Sequence, residues 1–131
     1  LDAPAGLGTG FLLATCAADR AVVVTTADAS SLRDAQHTVM ELNRFRSGTL
    51  HLVVNRVRKK MLRSMHATID DAIDKAGLPL IGVVPEDDAL PLCLNQGVPL
   101  LLAGGQQPAA SAYRNIAKRI QGGKAPLLRI K

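Results

Sequence analysis

Short β-branched apolar runs alternate along this chain with stretches in which apolar positions recur every three or four residues. Ala21-Val22-Val23-Val24-Thr25, Leu50-His51-Leu52-Val53-Val54-Asn55 and Leu80-Ile81-Gly82-Val83-Val84 are continuous, as strands covered on both faces of a parallel sheet are. The third run stops at Pro85. A further run, Val98-Pro99-Leu100-Leu101-Leu102, contains proline and reads either as an edge strand or as a loop packed on the core.

The intervening stretches predict helices. Gly10 to Ala18 is small and apolar, suited to close packing on a sheet. Ser30 to Arg44 places Leu32, Ala35, Val39 and Leu42 on one face, with Ser30 or Ser31 able to cap its start. Thr68 to Ala76 has Thr68 as its cap and Gly77 as its stop. Pro108 to Ile120 puts Tyr113, Ile116, Ala117 and Ile120 on one stripe, with proline in the first turn. Alternating strands and helices predict an α/β fold, a three-layer parallel sheet with helices on both faces.

Composition sharpens this picture without changing it. The chain has 131 residues, 47% hydrophobic and 21% charged, enough for one folded core and unlike a disordered segment. Aromatics are scarce, so the core is aliphatic and a stacking platform for single-stranded nucleic acid is not expected. The net charge of +5 includes a cluster of Arg56, Arg58, Lys59, Lys60 and Arg63. Such a cluster suits phosphate, DNA or anionic lipid, and equally a loop facing bulk water. Cys16 and Cys93 lack metal or redox spacing and read as buried thiols of a reducing cytoplasm. His37, His51 and His66 have no metal-ligand spacing either.

The candidate chemistry lies at strand ends. Asp2-Ala3-Pro4-Ala5-Gly6 is an acid followed by a Pro/Gly turn, a pattern of the carboxyl edge of a parallel sheet, where ligands gather. Only Leu1 precedes it, so the chain reads as the second half of a nucleotide-binding fold. Asp2 suits Mg²⁺ held through water, or simply a turn. Gly6 lets a backbone N–H approach a phosphate oxygen. Asn55 follows a strand, and its amide can both donate and accept, as a base edge requires; it also suits loop capping. Gly6-Leu7-Gly8-Thr9-Gly10 fails the dinucleotide fingerprint, because Phe11 stands where its third glycine belongs.

Taken together, these segments resemble the MinD/ParA family of deviant P-loop ATPases. The likeness rests on Asp2-Ala3-Pro4-Ala5-Gly6, Val23-Val24-Thr25-Thr26 leading to Ser30-Ser31-Leu32-Arg33-Asp34-Ala35, and Leu52-Val53-Val54-Asn55-Arg56-Val57-Arg58. Ile81-Gly82-Val83-Val84-Pro85-Glu86-Asp87 and Asn95-Gln96-Gly97-Val98-Pro99 complete it, in the family's order. The resemblance implies ATP and Mg²⁺ as cofactors, with Asp2 on the metal side. It makes Pro4, Ala5 and Gly6 a switch for the γ-phosphate, Gly6 being the catalytic element. It assigns nucleotide contacts to Asn55, Arg56, Val84, Pro85 and Asp87, and a partner or dimer face to Asp28, Ser31, Arg33 and Asp34. Ala27-Asp28 and Gln36 depart from the family pattern there, where Pro-Glu and a further acid are common.

No Gly-Lys-Ser/Thr phosphate loop occurs; Gly123-Lys124-Ala125 lacks the hydroxyl. The expectation is therefore the C-terminal portion of a P-loop NTPase fold lacking its phosphate-loop half, inactive alone. Residues 1–121 would form the ATPase portion and 122–131 a basic apolar tail. The resemblance implies an ATP-dependent homodimer of the full-length protein, working with regulatory proteins in division-site placement. It would be cytoplasmic and peripheral on an anionic inner membrane surface, and nucleic acid is not expected as a partner. The tail alternatively packs back on the sheet. A reading from another class is a non-enzymatic α/β binding module, docking a protein or anionic partner through residues 30–44 or 56–63.

Overall fold

The computed structural model describes residues 1–4, 6–46, 48–58, 60–61, 69–104 and 106–127. Its described elements are α1 (Thr9–Cys16), β1 (Ala21–Thr25), α2 (Ala29–Glu41), β2 (Leu50–Val57), α3 (Ile69–Ala76), β3 (Leu80–Pro85), α4 (Ala89–Asn95) and α5 (Pro108–Ile120). The strands form one parallel sheet in the order β1-β2-β3. This is the α/β arrangement that the alternation of patterns implies.

The central strand carries the core. Leu52 and Val54 are fully buried beneath α2 and α3, with Leu32, Ala35 and Ala72. Burying each such side chain contributes about 1.5–3 kcal/mol. Val53, pointing the other way, joins Ile81, Val84, Ala109 and Ala112 under α5. Helices thus cover both faces. The approach of α5 is close at Gly82, where a Cβ would lie 2.2 Å from Ile116 Cγ1. A side chain there would force the helix off β3, so the glycine within this strand is a packing requirement.

Several local expectations are corrected. Of the two readings of residues 98–102 the loop packed on the core holds and the edge strand does not: 98–99 are irregular, 100–102 form a turn, and Leu100 is buried. The α2 cap is Asp28, whose Oδ1 accepts the Ser31 N–H at 2.9 Å; the two serines were the expected caps. The buried stripe of α5 is Ala109, Ala110 and Ala112 with Tyr113 and Ile116, while Ala117 and Ile120 are exposed. Helix α1 buries only Phe11 and leaves Leu12 and Leu13 exposed, so it packs less closely than its composition suggests. Cys93 is buried but Cys16 is exposed. Gly77, at φ 67°, ends α3 as expected, and its N–H donates to Ile73 O. Thr68, the expected cap of α3, and His66 lie outside the described residues.

Candidate functional site

Because the strands are parallel, Thr25, Val57 and Pro85 end at one edge of the sheet. A groove of about 900 Å³ reaches that edge between β1, α1 with the segment before it, and α2. This volume is within the range of small-molecule sites. Asp2, Pro4, Gly6, Ser31, Asp34 and Asn55 all line it, although they are separated by as much as about two-fifths of the chain. Thr25 and Thr26 add hydroxyls at the end of β1.

Each of these residues has a local reason for its place. Pro4 sits on the start of α1, where a Cβ on Gly10 would lie 2.5 Å from the Pro4 ring. Gly6 has φ 85° and open space around it, so conformation and not crowding selects glycine. Ser31 and Asp34 occupy the first turns of α2, oriented by the Asp28 cap. The Asp28 carboxyl is lowered from 3.8 to about 2 by the Thr26 hydroxyl it accepts from, then by the Ser31 N–H. Ala5 lies outside the described residues.

Asn55 is aimed by an irregularity of β2. The register between β2 and β3 shifts between Val54 and Val57, so β2 carries an extra residue there. Arg56 has φ 53°, alone among the described non-glycine residues in being left-handed, and its N–H donates to Asn55 Oδ1 at 2.9 Å. The Arg56 guanidinium reaches Glu86 Oε1 at 3.3 Å, and Arg58 Nε pairs with Glu86 Oε2.

The other expected nucleotide residues lie away from the groove. Arg56, Val84, Pro85 and Asp87 are not in its lining. The Val84 side chain is buried under α5, which leaves only its backbone for a ligand. Asp87 accepts the Ala89 N–H on Oδ1 at 3.0 Å and the Ala109 N–H on Oδ2 at 3.2 Å. Both oxygens therefore hold the first turns of α4 and α5. Arg33 is exposed outside the groove.

The arginines of the basic cluster are not simply solvated, since Arg56 and Arg58 share Glu86. Lys59 and Arg63 lie outside the described residues. Glu86 and Thr26 carry contacts that the sequence reading did not single out.

The start of the tail turns back along α5. Arg119 donates from Nε at 2.9 Å and Nη2 at 2.6 Å to Ala125 O, and Asn115 Nδ2 to Pro126 O at 3.2 Å. Leu128, Arg129, Ile130 and Lys131 lie outside the described residues. No described helix is long and apolar enough to cross a membrane.

The donor set at the groove suits a magnesium nucleotide. Mg²⁺ takes few carboxylates and keeps its waters, and the lining offers Asp2 and Asp34 among hydroxyls and backbone.

No protein-family model matches the chain. It is 34% identical over 129 residues to the septum site-determining protein MinD of Synechocystis sp., covering 98% of this chain and 48% of that protein. It is 36% identical over 129 residues to the MinD of Bacillus subtilis, covering 97% and 48% respectively. The chain thus spans about half the length of the curated relatives it matches. In the MinC:MinD cell division protein complex of Aquifex aeolicus, one chain superposes with TM-score 0.87 and 32% identity, over 98% of this chain and 53% of that one. The cell division ATPase MinD of Pyrococcus furiosus gives 0.76 and 26%, over 92% and 50%. MinD of Pyrococcus horikoshii, solved with Mg-ADP, gives 0.75 and 26%, over 91% and 48%. These 131 residues are therefore similar to about half of a MinD protein, and the resemblance to the MinD/ParA family holds in sequence and in fold.

Proposed function

We propose that this chain supplies the Mg²⁺ side, the base side and the partner side of a MinD-like ATP-binding ATPase acting in division-site placement. The observation that carries this reading is the groove, which gathers Asp2, Pro4, Gly6 and Asn55 at the carboxyl edge of the sheet. The solved relative with Mg-ADP supports ATP and Mg²⁺ as the ligands, and the MinC:MinD complex supports a protein partner of the division system. In this reading Asp2 holds the hydrated metal ion, and Gly6 offers its N–H to the terminal phosphate. When bound, the ion would neutralise phosphate charge. Asn55 orients the base, with the backbone of Val84 and Pro85 on its other side. Ser31, Arg33 and Asp34, on the α2 turn fixed by Asp28, form the face for a second subunit or a regulator. The residues after Leu127 would meet an anionic membrane surface in the ATP-linked dimer.

This chain holds no Gly-Lys-Ser/Thr sequence, so the phosphate lysine must come from outside its 131 residues. MgATP titrated into the isotope-labelled chain should shift the signals of Asp2, Gly6 and Asn55 with a dissociation constant no tighter than about millimolar. Micromolar affinity, or hydrolysis, would contradict the missing-lysine argument. Shifts confined to the 56–61 and 86–88 surface would favour an anion-docking module instead.

A further inference from the structure

We propose that Glu86 is a positioning residue for Asn55, acting through Arg56 and Arg58; the functional meaning of this rests on the base-binding role given to Asn55 above. The extra residue in β2 throws Asn55 toward the groove and leaves Arg56 in the left-handed region, which side chains other than glycine and asparagine adopt at a cost. Something must hold that conformation. Glu86 follows β3 directly, its side chain is 23% exposed, and each of its oxygens receives one guanidinium. Its own N–H donates to Val57 O at 3.1 Å, which fixes it beside the irregular turn. The bulge is thus gripped on both sides of Val57, a residue buried in the core.

The grip decides what Asn55 shows to a ligand. Its Oδ1 already accepts the Arg56 N–H at 2.9 Å, so the amide cannot flip without breaking that bond. What remains for a ligand is Nδ2 with both its protons and the second lone pair of Oδ1, held in one orientation. An arginine in an ordinary extended strand would leave the amide free to turn either way. Exposed ion pairs are individually weak, and here Arg56 and Arg58 are 69% and 58% exposed. The role proposed for Glu86 is accordingly one of geometry and not of bulk stability.

The test uses amide hydrogen exchange on the 131-residue chain. Glu86→Gln should lower protection of the Arg56 amide by about tenfold while the Leu52 and Val54 amides keep theirs, because local opening precedes global unfolding. In an Arg56→Gly background, glycine adopts φ 53° without help, so adding Glu86→Gln should change the amide at position 56 little. An unchanged Arg56 amide in Glu86→Gln, or an equal loss in both backgrounds, would overturn the proposal. The base-binding reading is examined separately by titrating MgATP and MgGTP into Asn55→Ala. If that variant leaves the preference between them unaltered while the exchange results hold, Glu86 still positions Asn55 and only the adenine reading falls.

Discussion

The two flanks of the sheet are finished differently. On the β3 flank, α5 lies close enough to require Gly82, and Arg119 ties Ile81 O at 3.3 Å to the returning tail. On the β1 flank, Val22 and Val24 are 38% and 59% exposed, and Leu12 and Leu13 of the adjoining helix face solvent as well. The chain carries similar aliphatic residues on both sides, so composition does not make the difference. One flank has its covering helix within these residues, while the other presents the groove with the proposed ligand contacts.

Stability measurements can break this contrast. Gly82→Val drives a side chain into Ile116 and should cost about 2–3 kcal/mol in urea unfolding. Val24→Thr, on the open flank, should stay within about 0.5 kcal/mol. Equal losses would mean that β1 is as tightly held as β3.

Asp28 caps the helix that carries Ser31 and Asp34 to the groove, and tests whether that flank has structure of its own. Asp28→Ala removes the α2 cap and should destabilise by about 1 kcal/mol. Its carboxyl is depressed to about 2 on folding, so its contribution is complete above about pH 4 and fades as pH falls toward 2. Acid titration of the variant should therefore show a shallower loss than the parent in that window. An identical slope would remove Asp28 from the balance.

Arg119→Gln releases the tail from the β3 flank. The expected effect is about 0.5–1 kcal/mol in stability, with faster proteolysis beyond Gln121 as the direct readout. Undiminished resistance would mean that the return of the tail does not need the arginine. The smallest thermodynamic effect is expected from Val24→Lys, near zero for folding. It should nevertheless reduce concentration-dependent light scattering, because a charge on an edge strand discourages pairing with another chain. A parent chain that remains monomeric at high concentration would show that the β1 edge is already protected.

The strands were legible because β-branched runs have few other uses, and α2 because Leu32, Ala35 and Leu42 keep a helical period. Helix α4 was not legible. It is only seven residues long, and Leu90, Leu92 and Leu94 alternate with period two around Pro91. The extra residue at Asn55-Arg56 was hidden too, since no glycine marks it and its support comes from Glu86, thirty residues away. At the site, Asp2, Gly6 and Asn55 could be grouped by the family motifs, whereas local chemistry alone left each with an ordinary turn or capping use. Asp87 illustrates the limit. Its position at the strand end was readable, but its second bond, to the start of α5 twenty-two residues on, depends on where the intervening chain brings that helix.

That engagement has a consequence for how this sequence can change in length. Asp87 fixes the first turns of α4 and α5 to one carboxylate, so the intervening chain need not set their spacing. Leu102, near the middle of that connection, is 76% exposed. Lengthening the connection after Leu102 would add loop-closure entropy of about 0.6 kcal/mol for each doubling of the loop, beside the loss of the turn bond from Ala103 N–H to Leu100 O. The segment after α4 is thus a place where whole peptides, tags or recognition loops can be grafted while the sheet and its groove stay as they are.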